Sequence, residues 1–249
     1  MATVNRFTKK KTILYRFSEK HKEYIRRCRE CSYNVAEGAV RAGKTVDNVF
    51  AFAHELKTTP DKIHLATGST MANAKMNIGD CNGMGLEWIF RGQSHWGKYK
   101  DNEALFIKGP ATHNKQKIVI FAGGAKEDSY KKIRGNSYGM WIATEINLHH
   151  DNTIKEAFNR QLAAKRLKVF WDLNPDNPRA AIYSEYIDRY QKQQEENNFS
   201  GAVTTICTVP FMTISTLPQN VCERLRADMM LTQSGICGTS KECALLQMV

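Results

Sequence analysis

The segment EGAVRAGKT, residues 37–45, constrains the fold of this chain more than any other stretch. Gly38, Gly43, Lys44 and Thr45 match the phosphate-loop pattern G-x-x-x-x-G-K-[ST] at every fixed position. The pattern carries meaning only where a buried strand enters the loop and a helix leaves it. Both flanks read that way. SYNVAE is a short apolar strand, and KTVDNVFAFAHELKTT has helical spacing, with Val46, Val49, Phe50, Ala53 and Leu56 along one side.

The remaining pattern extends this unit. FSEKHKEYIRRCREC reads as a helix with Phe17, Tyr24 and Ile25 on a partial apolar face. DKIHLATGS, QKIVIFAGG, YGMWIATE and LKVFWDLNP read as buried strands, the last stopped by Pro175. TMANAKMNIGDCNGMGLEWIF starts helical and is broken by glycines, and its methionines are expected to fill core. NTIKEAFNRQLAAKR is a helix with Asn152 as its expected cap. Strands alternating with helices predict an α/β chain of the P-loop NTPase type: a mainly parallel central sheet flanked by helices.

Composition narrows the partners. Lysine and arginine number 36 against 25 acids, a formal charge of +11. Such an excess favours a polyanion, because each neutralised phosphate releases condensed counterions. No run reaches the ~20 apolar residues that cross a bilayer. The N-terminus lacks the apolar stretch of a signal peptide, so an intracellular chain without membrane partners is expected. The seven scattered cysteines do not suit a secreted disulfide framework. Cys28 and Cys31 form one C-x-x-C pair with no second pair to complete a zinc site, so reduced thiols are expected. TKKK, residues 8–11, reads as a solvated surface.

The loop implies a specific chemistry. Backbone N–H groups of Gly38, Ala42 and Gly43 can face phosphates, helped by the positive end of the following helix. Lys44 would reach the β- and γ-phosphates of ATP, and the Thr45 hydroxyl would bind Mg²⁺. Arg41, inside the loop, can stabilise charge on the γ-phosphate or bind a neighbouring residue. Hydrolysis also needs an acid at the end of a nearby strand. Glu145 closes the MWIATE run and can polarise the attacking water. The metal-shell position before it holds Thr144, a hydroxyl with no charge. Asn174, at the end of WDLNP, stands where an amide senses phosphate or water. Lys131, Lys132 and Arg134 in SYKKIRGNSYG form a basic loop suited to phosphate or DNA. His149 and His150 have no third ligand at metal spacing and read as surface or hinge residues.

EGAVRAGKT, the segment FAGGAKEDSYKKIRGNSYGMWIATEINLHH, TIKEAFNR and FWDLNPDNPRAAIY lie in an order that resembles the ATPase domain of phage terminase large subunits, over about residues 15–190. The resemblance implies a motor coupling ATP hydrolysis to packaging of double-stranded DNA into a capsid. Gly38, Gly43, Lys44 and Thr45 match its Walker A loop, and Arg41 sits where the family often has an arginine. Glu145 matches the catalytic glutamate, and Asn174 the polar residue of the coupling motif. Thr144 replaces the usual Walker B aspartate, and His21 stands where glutamine is common in the adenine-contacting segment. Implied partners are DNA at Lys132 and Arg134, a portal, a small terminase subunit and further copies in a ring, in the host cytoplasm. The residues also admit a helicase-type P-loop ATPase, or a noncatalytic nucleic-acid-binding remnant.

The expected ATPase domain spans 1–210 and an atypical tail spans 211–249. Family members usually continue into a nuclease domain binding two metals, and the resemblance leads to the expectation that this chain stops before one. From Phe211 the apolar pattern decays. Codons for FMT, read from the third base, give His or Tyr and then a forced Asp. The same offset gives Tyr or His and then Asp at DMML, and permits Trp-Tyr at ICGT. A loss of reading frame near Phe211 is therefore expected, with a poorly ordered tail, and the DNA sequence of the gene tests it.

Overall fold

A computed structural model describes residues 17–174, 177, 179–189, 192 and 206–208. The chain divides into units Met1–Phe211 and Met212–Val249, and the described residues belong to the first. The expectations for TKKK and for the tail fall outside them.

Helix α1 (Glu19–Arg27) leads to strand β1 (Tyr33–Glu37), the phosphate-loop segment and helix α2 (Lys44–Thr58). Then come β2 (Ile63–Gly68), α3 (Met71–Ala74), α4 (Leu86–Ile89), β3 (Ser94–Tyr99), β4 (Asn102–Ile107) and β5 (Lys117–Gly123). They are followed by α5 (Tyr130–Ile133), β6 (Met140–Ala143), α6 (Asp151–Gln161), β7 (Lys168–Leu173) and β8 (Ile206–Thr208). One sheet runs in the order β3-β4-β5-β2-β6-β7-β1-β8. Six of these strands are parallel, from β5 to β8, and β3 and β4 pair antiparallel at one edge. The expected mainly parallel α/β sheet is what forms.

The central strands are buried on both faces, which is why they read as continuous apolar runs. Three elements depart from expectation. The β3–β4 hairpin went unread in the sequence because its edge strand is half-polar. Its two-residue turn is Lys100-Asp101, both at positive φ (47° and 65°), where Asn-Gly is the usual signal. Helix α2 is buried far beyond one side: Asp47 and Asn48 are 0% exposed as well. Helix α1 covers that second face, with Tyr24 Oη donating to Asn48 Oδ1 at 2.6 Å and His21 Nδ1 2.5 Å from Asp47 Oδ2. Burial raises the Asp47 carboxyl to about 8 and lowers His21, each away from its charged form. The third departure is the methionine segment. It continues α3 as a π-helix over Lys75–Asp80, and Met71 and Met76 are 41% and 58% exposed rather than core.

His150, not Asn152, caps α6, its side chain accepting from the Asn152 N–H at 3.2 Å. Cys28 and Cys31 are buried free thiols, and burial pushes the Cys28 thiol up and away from reactivity. Their backbone carbonyls serve a structural purpose, accepting bonds from the buried Lys168 ammonium.

Candidate functional site

The parallel strands β6, β7 and β1 end side by side. Register pairs Ala143 with Trp171 and Asp172 with Ala36, so the residues after β6 and at the end of β7 face the phosphate-loop segment. A cleft of about 410 Å³ opens there, at the carboxyl edge where open α/β sheets hold ligands. Lys44, Thr45, Thr144, Glu145, Asp172 and Asn174 line it, together with loop residues 40–43. Met76 and Met84 form part of its wall. The methionine segment thus supplies cleft surface through Met76 and Met84, while its Ala74, Ile78, Cys81 and Leu86 enter the core and Met84 packs against it.

The loop conformation follows from its residues. Gly43 sits at φ 88°, a left-handed position open to glycine, and α2 begins one residue later. Arg41 is also left-handed, at φ 65°, and its side chain is exposed. Lys44 is buried and its ammonium donates to Gly38 O (2.9 Å), Ala39 O (2.7 Å) and Asn174 Oδ1 (3.0 Å). Burial lowers the Lys44 pKa, against the pull of Asp172, Glu145 and Glu37. An ammonium held by neutral oxygens inside a Gly-rich loop is placed to meet phosphate charge.

The cleft thus brings Glu145, Asn174, Thr45 and Thr144 together. Lys132 and Arg134 lie elsewhere, exposed on and just after α5. Arg134 Nε donates to Glu156 on α6 at 3.3 Å, and its guanidinium lies 4.5 Å from the Tyr130 ring centroid.

Sequence reasoning missed two residues. Asp172 is 3% exposed, and its Oδ1 accepts from Glu145 N at 2.9 Å and from Thr144 Oγ1 at 3.2 Å. The Thr45 side chain lines the cleft beside this carboxylate. Burial raises the Asp172 pKa, while the Glu145 N–H, the Thr45 and Thr144 hydroxyls and the Lys44 charge hold it down. The charge that Thr144 lacks thus stands beside it on β7. A lone acid inside the apolar run KVFWDL was the available signal.

The second is His149, read from the sequence as a surface or hinge residue and found 8% exposed. It sits so close to Gly124 that a Cβ there would collide with its ring. Its Nδ1 lies 3.3 Å from Glu145 O, an acceptor, so Nδ1 carries the proton. Nε2, 2.9 Å from Thr67 Oγ1, then accepts from that hydroxyl, which itself accepts from Trp141 Nε1 at 2.8 Å. This neutral tautomer agrees with a pKa pushed down to about 4 by burial. The bond matters because Glu145 is left-handed (φ 52°, ψ 54°), a conformation that costs a non-glycine residue about 1–3 kcal/mol. Asp172 on its N–H and His149 on its carbonyl secure that backbone.

Among the described residues no group of three His, Cys, Asp or Glu side chains is placed to hold a metal. The cleft fits a divalent cation in another way. A cation bound with phosphates keeps several waters and needs only one or two protein ligands. The Thr45 hydroxyl and the buried Asp172 carboxylate are of the right kind.

Fold and cleft define a phosphate-loop α/β protein. No protein-family model and no curated protein matches the chain. Solved structures do. The large terminase of a thermophilic bacteriophage in complex with ADP superposes with TM-score 0.68 at 18% identity, covering 84% of this chain and 50% of that one. The same terminase with ATP-gamma-S gives 0.66 at 17%, covering 85% and 49%. The HK97 bacteriophage large terminase gives 0.56 at 12%, covering 82% and 41%. This chain has the fold of phage large terminases over about half their length. No described helix is long and apolar enough to cross a membrane.

Proposed function

We propose that the chain binds and hydrolyses ATP as the motor part of a large terminase, driving double-stranded DNA into a capsid. The observation that carries this reading is the convergence of Lys44, Thr45, Glu145, Asp172 and Asn174 on one cleft at the ends of β1, β6 and β7. The solved complexes of the thermophilic-phage terminase with ADP and ATP-gamma-S support the nucleotide class.

Each residue has a task. The backbone N–H groups of Ala42 and Gly43, with the N-terminus of α2, bind the phosphates. Lys44 leaves the Gly38 and Ala39 carbonyls for the β- and γ-phosphates. Arg41, exposed at the loop, adds charge towards the γ-phosphate or a neighbouring copy. Glu145 orients and deprotonates the attacking water. A bound Mg²⁺ would draw off negative charge that develops on the phosphates. Asn174, bonded to Lys44, connects that lysine's position to the segment after β7. There Tyr183 donates to Glu37 at 2.6 Å and Tyr186 donates to Asp151 at 2.5 Å, which ties this segment to β1 and α6. Lys132 and Arg134 contribute to DNA contact from α5. The portal and small subunit follow from the same reading, as does a homo-oligomeric ring.

The test is ATP turnover by the purified chain, alone and with linear duplex DNA, alongside a strand-displacement assay. Turnover stimulated by duplex without unwinding is expected. Unwinding of a forked duplex would favour the helicase reading, and no turnover under any condition would favour a noncatalytic remnant.

A further inference from the structure

The cleft contains a carboxylate that ordinary hydrolytic roles leave unassigned. Glu145 is the acid available to orient water, and Thr144, at the strand position before it, brings no charge. Asp172 is buried and lines the same cleft, where the Lys44 charge acts on it but no direct ion pair forms among the described residues. Burying a carboxylate is costly unless opposite charge meets it. Its hydrogen-bond donors are the Thr144 hydroxyl and the Glu145 N–H, both on Oδ1. A carboxylate has about four acceptor sites, and both donors use Oδ1, so Oδ2 is left for the cleft.

Topology explains how a carboxylate there can do the work. Strand β7 lies between β6 and β1 in the sheet, so it is the direct neighbour of the strand that feeds the phosphate loop. Register sets Asp172 opposite Ala36 on β1, one residue before Glu37. Neighbouring strands are ~4.8 Å apart, so an acid on β7 starts one strand spacing nearer the loop than one on β6. Thr45, at the end of the loop, lines the same cleft as Asp172.

We propose that Asp172 is the charged residue of the divalent-cation site. The acidic pair is then split over two strands, with Asp172 on β7 holding the cation and Glu145 after β6 serving the water. Thr144 is a positioning residue whose hydroxyl orients Asp172. This rests on the nucleotide reading above and adds the cation ligand to it.

The test is the affinity of the full chain for ATP-γ-S with Mg²⁺ and with EDTA, followed by Mn²⁺ EPR on the bound complex. The wild type binds more tightly with Mg²⁺. Asp172→Asn keeps the acceptor for Glu145 N but loses the charge, and should lose about 10–100-fold of the metal-dependent gain. In EDTA the same variant should bind equally or more tightly, because a negative charge beside the phosphates has gone. A structural role alone would weaken binding in both conditions. The exchange Thr144→Asp/Asp172→Thr returns a carboxylate to the adjoining strand and should restore both the gain and the bound-Mn²⁺ signal. If Asp172→Asn does not fold, the exchange variant decides, and failure to restore either signal overturns the proposal. An unchanged Mg²⁺ gain in Asp172→Asn overturns it while leaving the nucleotide reading intact. No nucleotide binding by the wild type in either condition overturns both.

Discussion

His149→Ala should weaken the fold by an amount that depends on pH. The ring is buried against Gly124 and makes two hydrogen bonds, to Glu145 O and Thr67 Oγ1. Losing those bonds costs about 1 kcal/mol each, and the space left behind adds a comparable amount, about 3 kcal/mol in all at pH 7.5. The unfolded imidazole titrates near 6.5 and the folded one near 4. Above 6.5 both states are neutral, and the site contributes fully. As pH falls through 6.5 the unfolded chain takes up a proton that the folded one refuses, so stability is lost until about 4. At pH 5 this amounts to about 2 kcal/mol in the wild type and nothing in the variant. The difference between the two proteins should therefore shrink from about 3 to about 1 kcal/mol, read from urea denaturation at both pH values. A difference that stays constant with pH would refute the buried neutral tautomer. A loss below about 0.5 kcal/mol at pH 7.5 would refute the burial itself.

Tyr24→Phe removes the donor to buried Asn48 Oδ1 and should cost about 1–2 kcal/mol by denaturant titration. Lys132→Ala and Arg134→Ala should weaken duplex binding alike for all sequences, each lowering the slope of log affinity against log salt by about 1. A change in sequence preference would move those residues from phosphate to base contact.

The central architecture was legible because β1, β2, β5, β6 and β7 are buried on both faces and so appear as unbroken apolar runs. The phosphate loop was legible because its chemistry demands glycines at set spacings. Other features depend on contacts distant in sequence. Asp47 and Asn48 lie off the apolar stripe of α2, and only the arrival of α1 buries them. His149 has no periodic context, and its burial follows from the absent side chain of Gly124. The hairpin escaped notice because a Lys-Asp turn at positive φ has no compositional mark. Asp172 was visible as a lone acid in an apolar strand, yet its partner is the strand register that sets it beside Thr144 and the loop. Asn174, two residues later, is the more conspicuous strand-end residue, and it meets Lys44 as a cleft-lining amide should.

The most direct measurement is γ-phosphate release by the purified chain, compared with Lys44→Ala and Glu145→Ala. A cleft that works as described predicts Mg²⁺-dependent release by the wild type. Lys44→Ala should lose nucleotide affinity and turnover together, while Glu145→Ala should still bind nucleotide but turn over at least about a hundredfold more slowly. Release that survives both substitutions would contradict the assignment of this cleft.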